Sequence, residues 1–131
     1  MKSIPLFVLL PGLLVSHGLH AQGPQSGAQV YQETCAVCHA TGVDNAPKFG
    51  DKTTWAPRIL QGQAALTAEA WSGVRAMPPR GGNLSLTLDE FSRAVATMAR
   101  AAGAPWKDPD AALLAEIQAE EKKRAGNLKT P

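Results

Sequence analysis

The feature that most constrains this chain is a pair of cysteines, Cys35 and Cys38, followed directly by His39. The chain has two cysteines in all, so any disulfide would have to join these two residues. Such a bridge would close a very small loop and would contribute little stability. The spacing therefore disfavours a structural disulfide and favours another use of the pair.

Two other uses of closely spaced cysteines fit the surrounding sequence poorly. A thioredoxin-like redox site would need a strand-helix-strand pattern around the motif, which this sequence does not show. A closed zinc site would need two more ligands, and the other two histidines, His17 and His20, lie near the N-terminus.

Covalent attachment of haem is the known use of a Cys-x-x-Cys-His motif. Each thiol can add to one vinyl group on the edge of a porphyrin, and the two intervening residues let both sulfurs reach that edge. The adjacent histidine can then place its imidazole beneath the iron. We predict one haem c per chain, bound covalently through Cys35 and Cys38, with His39 as an axial ligand.

A low-spin electron carrier needs a sixth iron ligand, and methionine is the soft ligand that raises the reduction potential. Met98 lies on an apolar stripe with Phe91 and Val95, at the spacing of a helix face that packs in a core. Met77 lies in residues 75–82, where two prolines and two glycines disfavour regular helix. We predict Met77 as the second axial ligand; the alternative is a loop methionine that covers apolar surface.

The N-terminus has the order of a secretory signal peptide. Lys2 precedes an apolar run from Ile4 to Val15, and small and polar residues lead to Ala21. We predict cleavage after Ala21 and export to the bacterial periplasm. The alternative is an uncleaved membrane anchor, which the short, proline-interrupted apolar run disfavours.

Length and charge narrow the class further. A chain of 131 residues favours one domain, and a small domain gains stability when a cofactor completes its core. The 13 basic and 11 acidic residues nearly balance, which gives no indication of a nucleic-acid partner.

The residues around the motif resemble the class I c-type cytochromes, and in particular the cytochrome c-five type. Gly27, Val30 and Tyr31 stand at the expected spacing before Cys35. The similarity covers about residues 26 to 101, and its other parts are residues 41–51, 55–58 and 77–82. Beyond residue 104 the chain matches nothing in the family pattern.

The resemblance implies roles for further residues. Pro47 would accept a hydrogen bond from the ring of His39, which fixes the tautomer of the imidazole and strengthens it as a ligand. Trp55 and Arg58 would face the haem propionates, since the fork of an arginine matches a carboxylate. The alternative for Arg58 is a solvated charge on a helix.

The resemblance also implies an all-α fold of about four short helices around the haem, in which Gly27 and Tyr31 pack the first helix against the last. Capping-box patterns at Ser26 and Thr87 mark two helix starts. The sequence predicts helices over residues 26–36, 52–61, 64–74 and 87–102.

The C-terminal extension is predicted to add one more helix. We divide the chain into a signal peptide (1–21), a cytochrome domain (22–103) and a charged extension (104–131). Asp108 and Pro109 suit a helix start, and Gly126 suits a stop. The patch formed by Leu113, Leu114 and Ile117 could dock this helix weakly on the domain or hold a partner protein.

The leading functional hypothesis is a monomeric periplasmic carrier of single electrons, which makes transient contacts with membrane or periplasmic oxidoreductases. After cleavage of the signal it would have no membrane span. Its haem edge would be ringed by Lys48, Arg75 and Arg80, which could steer a partner. One alternative is a haem c subunit of a periplasmic dehydrogenase or oxidase. The other is a haem enzyme or gas sensor with an open sixth position.

Overall fold

The computed structural model describes residues 23–128. The signal peptide predicted for residues 1–21 lies outside this range and stays a prediction. Within this range the regular secondary structure is helical, apart from one isolated bridge, in which the backbones of Val74 and Met77 exchange hydrogen bonds. The helices are α1 (Gly27–Val30), α2 (Ala36–His39), α3 (Lys52–Ile59), α4 (Gln63–Ser72), α5 (Leu88–Ala101) and α6 (Ala111–Asn127).

The first two helices are joined by a π-helical turn over Tyr31–Cys35, so the chain winds without a break from Gly27 to His39. The capping box predicted at Ser26 is present: its hydroxyl accepts from the Gln29 backbone, and the Gln29 side chain accepts in return. The predicted end at residue 36 is three residues too early, because the Cys-x-x-Cys-His segment is itself helical. π-Helical turns inside helices are frequent at functional sites.

Helix α5 packs against the first helix at Gly27. A Cβ atom at this position would overlap the Arg93 carbonyl oxygen and the Thr97 hydroxyl, so only glycine allows the two backbones to approach this closely. The capping box predicted at Thr87 is also present and opens α5. This helix buries Phe91 among its core residues.

Helices α3 and α4 follow one another closely. The Asp51 side chain accepts a hydrogen bond from the Thr54 backbone and caps α3. Pro57 lies inside this helix, which is only eight residues long. Glycines with positive φ stand at both ends of α4, at Gly62 and Gly73.

Helix α6 packs along α4 and buries Ile117 completely. The expected start at Asp108 is wrong: Asp108 pairs with Arg100, and the side chain of Asp110 caps the helix instead. The helix also continues through Gly126 to Asn127. Within residues 23–128, no helix has the length and apolar character needed to cross a membrane.

Candidate haem site

A cavity of about 380 Å³ opens between the helical segment over residues 34–39, the following segment over residues 43–47, helices α3, α4 and α5, and the loop after α4. Apolar side chains make up much of its wall, among them Leu66, Val95 and Met98. The seven residues predicted for the site all line this one cavity, although they come from four separate segments of the chain: Cys35, Cys38, His39, Pro47, Trp55, Arg58 and Met77.

Cys35 and Cys38 are three residues apart in a continuous helical segment, so both side chains face the same side. Cys35 is buried and Cys38 is partly exposed. Burial raises the pKa of the Cys35 thiol to about 11. As a free side chain it would therefore be a neutral thiol inside the cavity at neutral pH.

The buried His39 is held by a backbone contact. Its Nδ1 atom lies 2.8 Å from the carbonyl oxygen of Pro47, at the position that the family resemblance implies. A carbonyl only accepts, so Nδ1 must be the donor, and in the neutral ring Nε2 then carries the lone pair that a metal needs. The Phe49 backbone also donates to the His39 carbonyl oxygen at 2.8 Å, which fixes the Pro47 segment against the end of α2.

Met77 is carried by a tight turn directly after α4. The backbones of Val74 and Met77 exchange two hydrogen bonds of 2.9 and 3.0 Å. Arg75, inside this turn, has a φ of 52°. The segment is not regular helix, as its prolines and glycines predict, although a short 3-10 turn follows over Pro79–Gly82. The turn places the Met77 side chain, which is partly buried, at the cavity wall.

The Met77 loop is fixed to α4 by Arg80. The guanidinium carbon of Arg80 lies 4.1 Å from the centre of the Trp71 ring, and Trp71 meets Phe91 edge to face at 5.4 Å. Arg80 also donates to the Leu84 carbonyl oxygen at 2.7 Å. We expected Arg80 to contribute to a ring of steering charges at the haem edge, and this stays a prediction; the structure shows in addition that its guanidinium stacks on an aromatic ring. No local spacing in the sequence links Arg80 to Trp71.

Trp55 and Arg58 reach the cavity from α3. Trp55 is buried, and its Nε1 donates to the Lys48 carbonyl oxygen at 2.8 Å. Arg58 is partly buried and donates through Nη1 to the Thr54 carbonyl oxygen at 2.6 Å. Their predicted role beside the propionates stays a prediction.

Met98 brings a second thioether to the cavity. It is buried on α5, as the helical stripe predicts, and it also lines the cavity wall. The sequence assigned it to the core without showing this second contact. Any test of Met77 as an iron ligand must therefore include Met98 as the competing thioether.

The donor set fits haem c. Two thiols on one helix face, an imidazole with its Nδ1 proton held by a carbonyl, and a thioether all meet in a cavity with largely apolar walls. The two thiols would hold the porphyrin at its edge, and the imidazole and the thioether would bind its iron.

Comparison with known proteins agrees with this geometry. The family described as "Cytochrome C oxidase, cbb3-type, subunit III" matches residues 22–96. Cytochrome c-555 of Chlorobaculum tepidum is 43% identical over 90 residues, which cover 66% of this chain and 83% of that protein. This chain belongs to the class I c-type cytochromes. As a member of that family it binds haem c covalently, through Cys35 and Cys38.

Two further similarities support the assignment of this cytochrome. Cytochrome c5 of Azotobacter vinelandii is 40% identical over 78 residues, covering 58% of this chain and 94% of that one. A chain from the "Crystal structure of electron transfer complex of nitrite reductase with cytochrome c" is 50% identical, with a TM-score of 0.56. That match covers 58% of the cytochrome described here and 93% of the other chain. Helix α6 lies beyond the family match, which ends at residue 96.

Proposed function

We propose that this cytochrome is a periplasmic carrier of single electrons, with one haem whose iron is ligated by His39 and Met77. The observation that carries the proposal is the shared cavity: the two candidate ligands come from distant segments and line the same space as Cys35 and Cys38. The bond from His39 to Pro47 supports the ligand role, since it leaves Nε2 in the form that binds iron.

When bound, the haem supplies a one-electron ferric/ferrous couple. The surrounding protein determines the reduction potential of that couple. The thioether of Met77 would favour the ferrous state and raise the potential, and the apolar side chains of the cavity wall would exclude water from the haem. The helix that carries the two cysteines and His39 keeps these three groups in a fixed arrangement.

The partners we propose are other redox proteins, met in transient contacts by a monomer. The similar chain crystallised in an electron transfer complex with nitrite reductase supports a partner of this kind. Val37, between the cysteines, is 72% exposed and offers apolar surface beside the attachment site. Lys48 and Arg75 are exposed and available for steering, and Arg80 keeps its positive charge while it stacks on Trp71.

The alternative of a haem c subunit draws on the description of the matched family, which names an oxidase subunit. The structure weakens the argument that the C-terminal extension holds a partner. Ile117 is buried completely within the chain, and Leu113 and Leu114 are half-buried there. The third hypothesis, an open sixth position, requires that Met77 does not bind although it lines the cavity.

The experiment is to express the full chain in a bacterium that attaches haem c and to fractionate the cells. We expect the protein in the periplasmic fraction, with the mass of the polypeptide from Gln22 plus one haem. The haem should resist acid-acetone extraction, and the purified protein should be a monomer that cycles reversibly between two oxidation states. Extractable haem would contradict the attachment. Isolation in a stable complex of fixed stoichiometry would favour the subunit.

A further inference from the structure

The C-terminal helix makes a charged contact with the wall of the haem cavity. Ile117 is fully buried where α6 packs along α4, and Arg124 follows on the same side of α6, seven residues later. Arg124 Nη2 lies 2.9 Å from Glu69 Oε1 on α4. The extension is thus joined to the cytochrome domain by an ion pair as well as by apolar packing.

Glu69 is at the same time part of the cavity wall, in the same turn of α4 as Leu66 and Ala70. Its side chain is 22% exposed, and that of Arg124 is 37% exposed. The other ion pairs within residues 23–128 contain no cavity-lining side chain; they join Asp89 to Arg93, Asp108 to Arg100 and Glu120 to Lys123. Among the ion pairs of these residues, the Glu69–Arg124 pair is therefore the one that contributes a side chain to the cavity wall.

A carboxylate on the wall of a haem cavity affects the redox equilibrium. Ferric haem carries one more positive charge than ferrous haem, so a nearby negative charge favours the ferric state and lowers the potential. A positive charge has the opposite effect. The Glu69 carboxylate is only partly exposed, so solvent screens its interaction with the haem less than that of a surface group.

We propose that the C-terminal helix raises the reduction potential of the haem through the Arg124–Glu69 pair. Arg124 offsets the charge of Glu69 and holds its carboxylate in place, and it thereby keeps the potential higher than an unpaired Glu69 would allow. This inference rests on the proposed function, since it requires a haem that cycles between two oxidation states. The competing account is that α6 is a brace with no electrostatic effect on the site.

The test is a comparison of reduction potentials in the full-length holoprotein. Arg124→Gln should lower the potential and Glu69→Gln should raise it. Each should change the equilibrium constant with a reference couple by roughly two- to fivefold. At 59 mV per tenfold for one electron, this is about 20–40 mV. The double variant should return close to the wild-type value, because both charges are then absent.

Two control variants separate charge from helix packing. Arg124→Lys keeps the charge and should keep most of the potential. Lys123→Gln removes the same charge one residue away, from a pair with Glu120 outside the cavity wall, and should leave the potential nearly unchanged. Raising the salt concentration should shrink the difference between wild type and Arg124→Gln, since partly exposed charges are screened.

The possible outcomes distinguish the two proposals. A wild-type protein without a reversible one-electron couple would overturn the proposed function, and this inference with it. A reversible couple with equal potentials in wild type, Arg124→Gln and Glu69→Gln would overturn the inference alone. Shifts of the same sign in both single variants and in the double variant would mean that α6 acts as a brace, which also overturns it.

Discussion

Replacing Arg80 by alanine should release the Met77 loop before the helices unfold. The substitution removes the guanidinium 4.1 Å from the Trp71 ring and the hydrogen bond to the Leu84 carbonyl oxygen. Both contacts are local to the loop and α4. Neither of these two contacts involves the helical segment that carries Cys35, Cys38 and His39.

The size of the effect follows from these two contacts. A partly exposed cation–π contact contributes about 0.5–1 kcal/mol, and a hydrogen bond at an exposed site adds roughly 0.5–1 kcal/mol. The free energy that holds the Met77 loop on α4 should therefore decrease by about 1–2 kcal/mol. This corresponds to a roughly 5- to 30-fold increase in the detached population.

The assay compares two signals in one denaturant titration of the ferric protein. The near-infrared charge-transfer band of a sulfur–iron bond reports the attachment of Met77, and far-ultraviolet circular dichroism reports the helices. In Arg80→Ala the midpoint of the band should fall well below that of the helices. Arg80→Lys, which keeps the charge without the planar group, should lie between this variant and wild type.

Arg93→Ala is the matched control, because it removes an arginine from a partly exposed ion pair with Asp89, one helical turn away on α5. It should change both midpoints slightly and equally, since such pairs contribute about 0.3–0.5 kcal/mol. If the two signals also stay together in Arg80→Ala, the reasoning about the Arg80–Trp71 contact is wrong.

Three further predictions concern the fold. Gly27→Ala should destabilise the protein by at least about 1–3 kcal/mol in denaturant unfolding, because its Cβ would overlap α5, whereas Ala28→Gly beside it should cost about 1 kcal/mol or less. Ile117→Ala should lower the free energy of unfolding by about 2–5 kcal/mol and speed the hydrogen exchange of the α6 amides. If the variant exchanges these amides as slowly as wild type, α6 does not pack as described. Hydrogen bonds from Thr87 and Gln25 hold the pKa of Glu90 below its ordinary value of 4.5, so stability should fall as the pH drops below 4.5. Glu90→Gln should flatten that acid dependence, and an unchanged slope would contradict the assignment.

Local sequence patterns predicted the haem attachment site, two helix starts and part of the core. The Cys-x-x-Cys-His motif identified the attachment site, and the capping boxes located the starts of α1 and α5. The helical stripe placed Met98 in the core. These features depend on residues within one or two helical turns, and for that reason they can be read from spacing.

The features that the sequence did not reveal depend on contacts between distant segments. The cation–π contact of Arg80 with Trp71 and the ion pair of Arg124 with Glu69 join different parts of the chain. The start of α6 was misplaced for the same reason, because Asp108 is taken by Arg100 on α5. Packing decides these contacts, and no local spacing indicates them.

The most direct test of the central claim compares two methionine variants in the ferric holoprotein. Both thioethers line the cavity, so the near-infrared band alone does not tell which sulfur binds the iron. We predict that Met77→Ala abolishes the band and lowers the reduction potential, because the thioether that favours ferrous iron is lost. Met98→Leu nearly conserves core volume and should leave the band intact. A band that survives in Met77→Ala and disappears in Met98→Leu would contradict the proposed ligation.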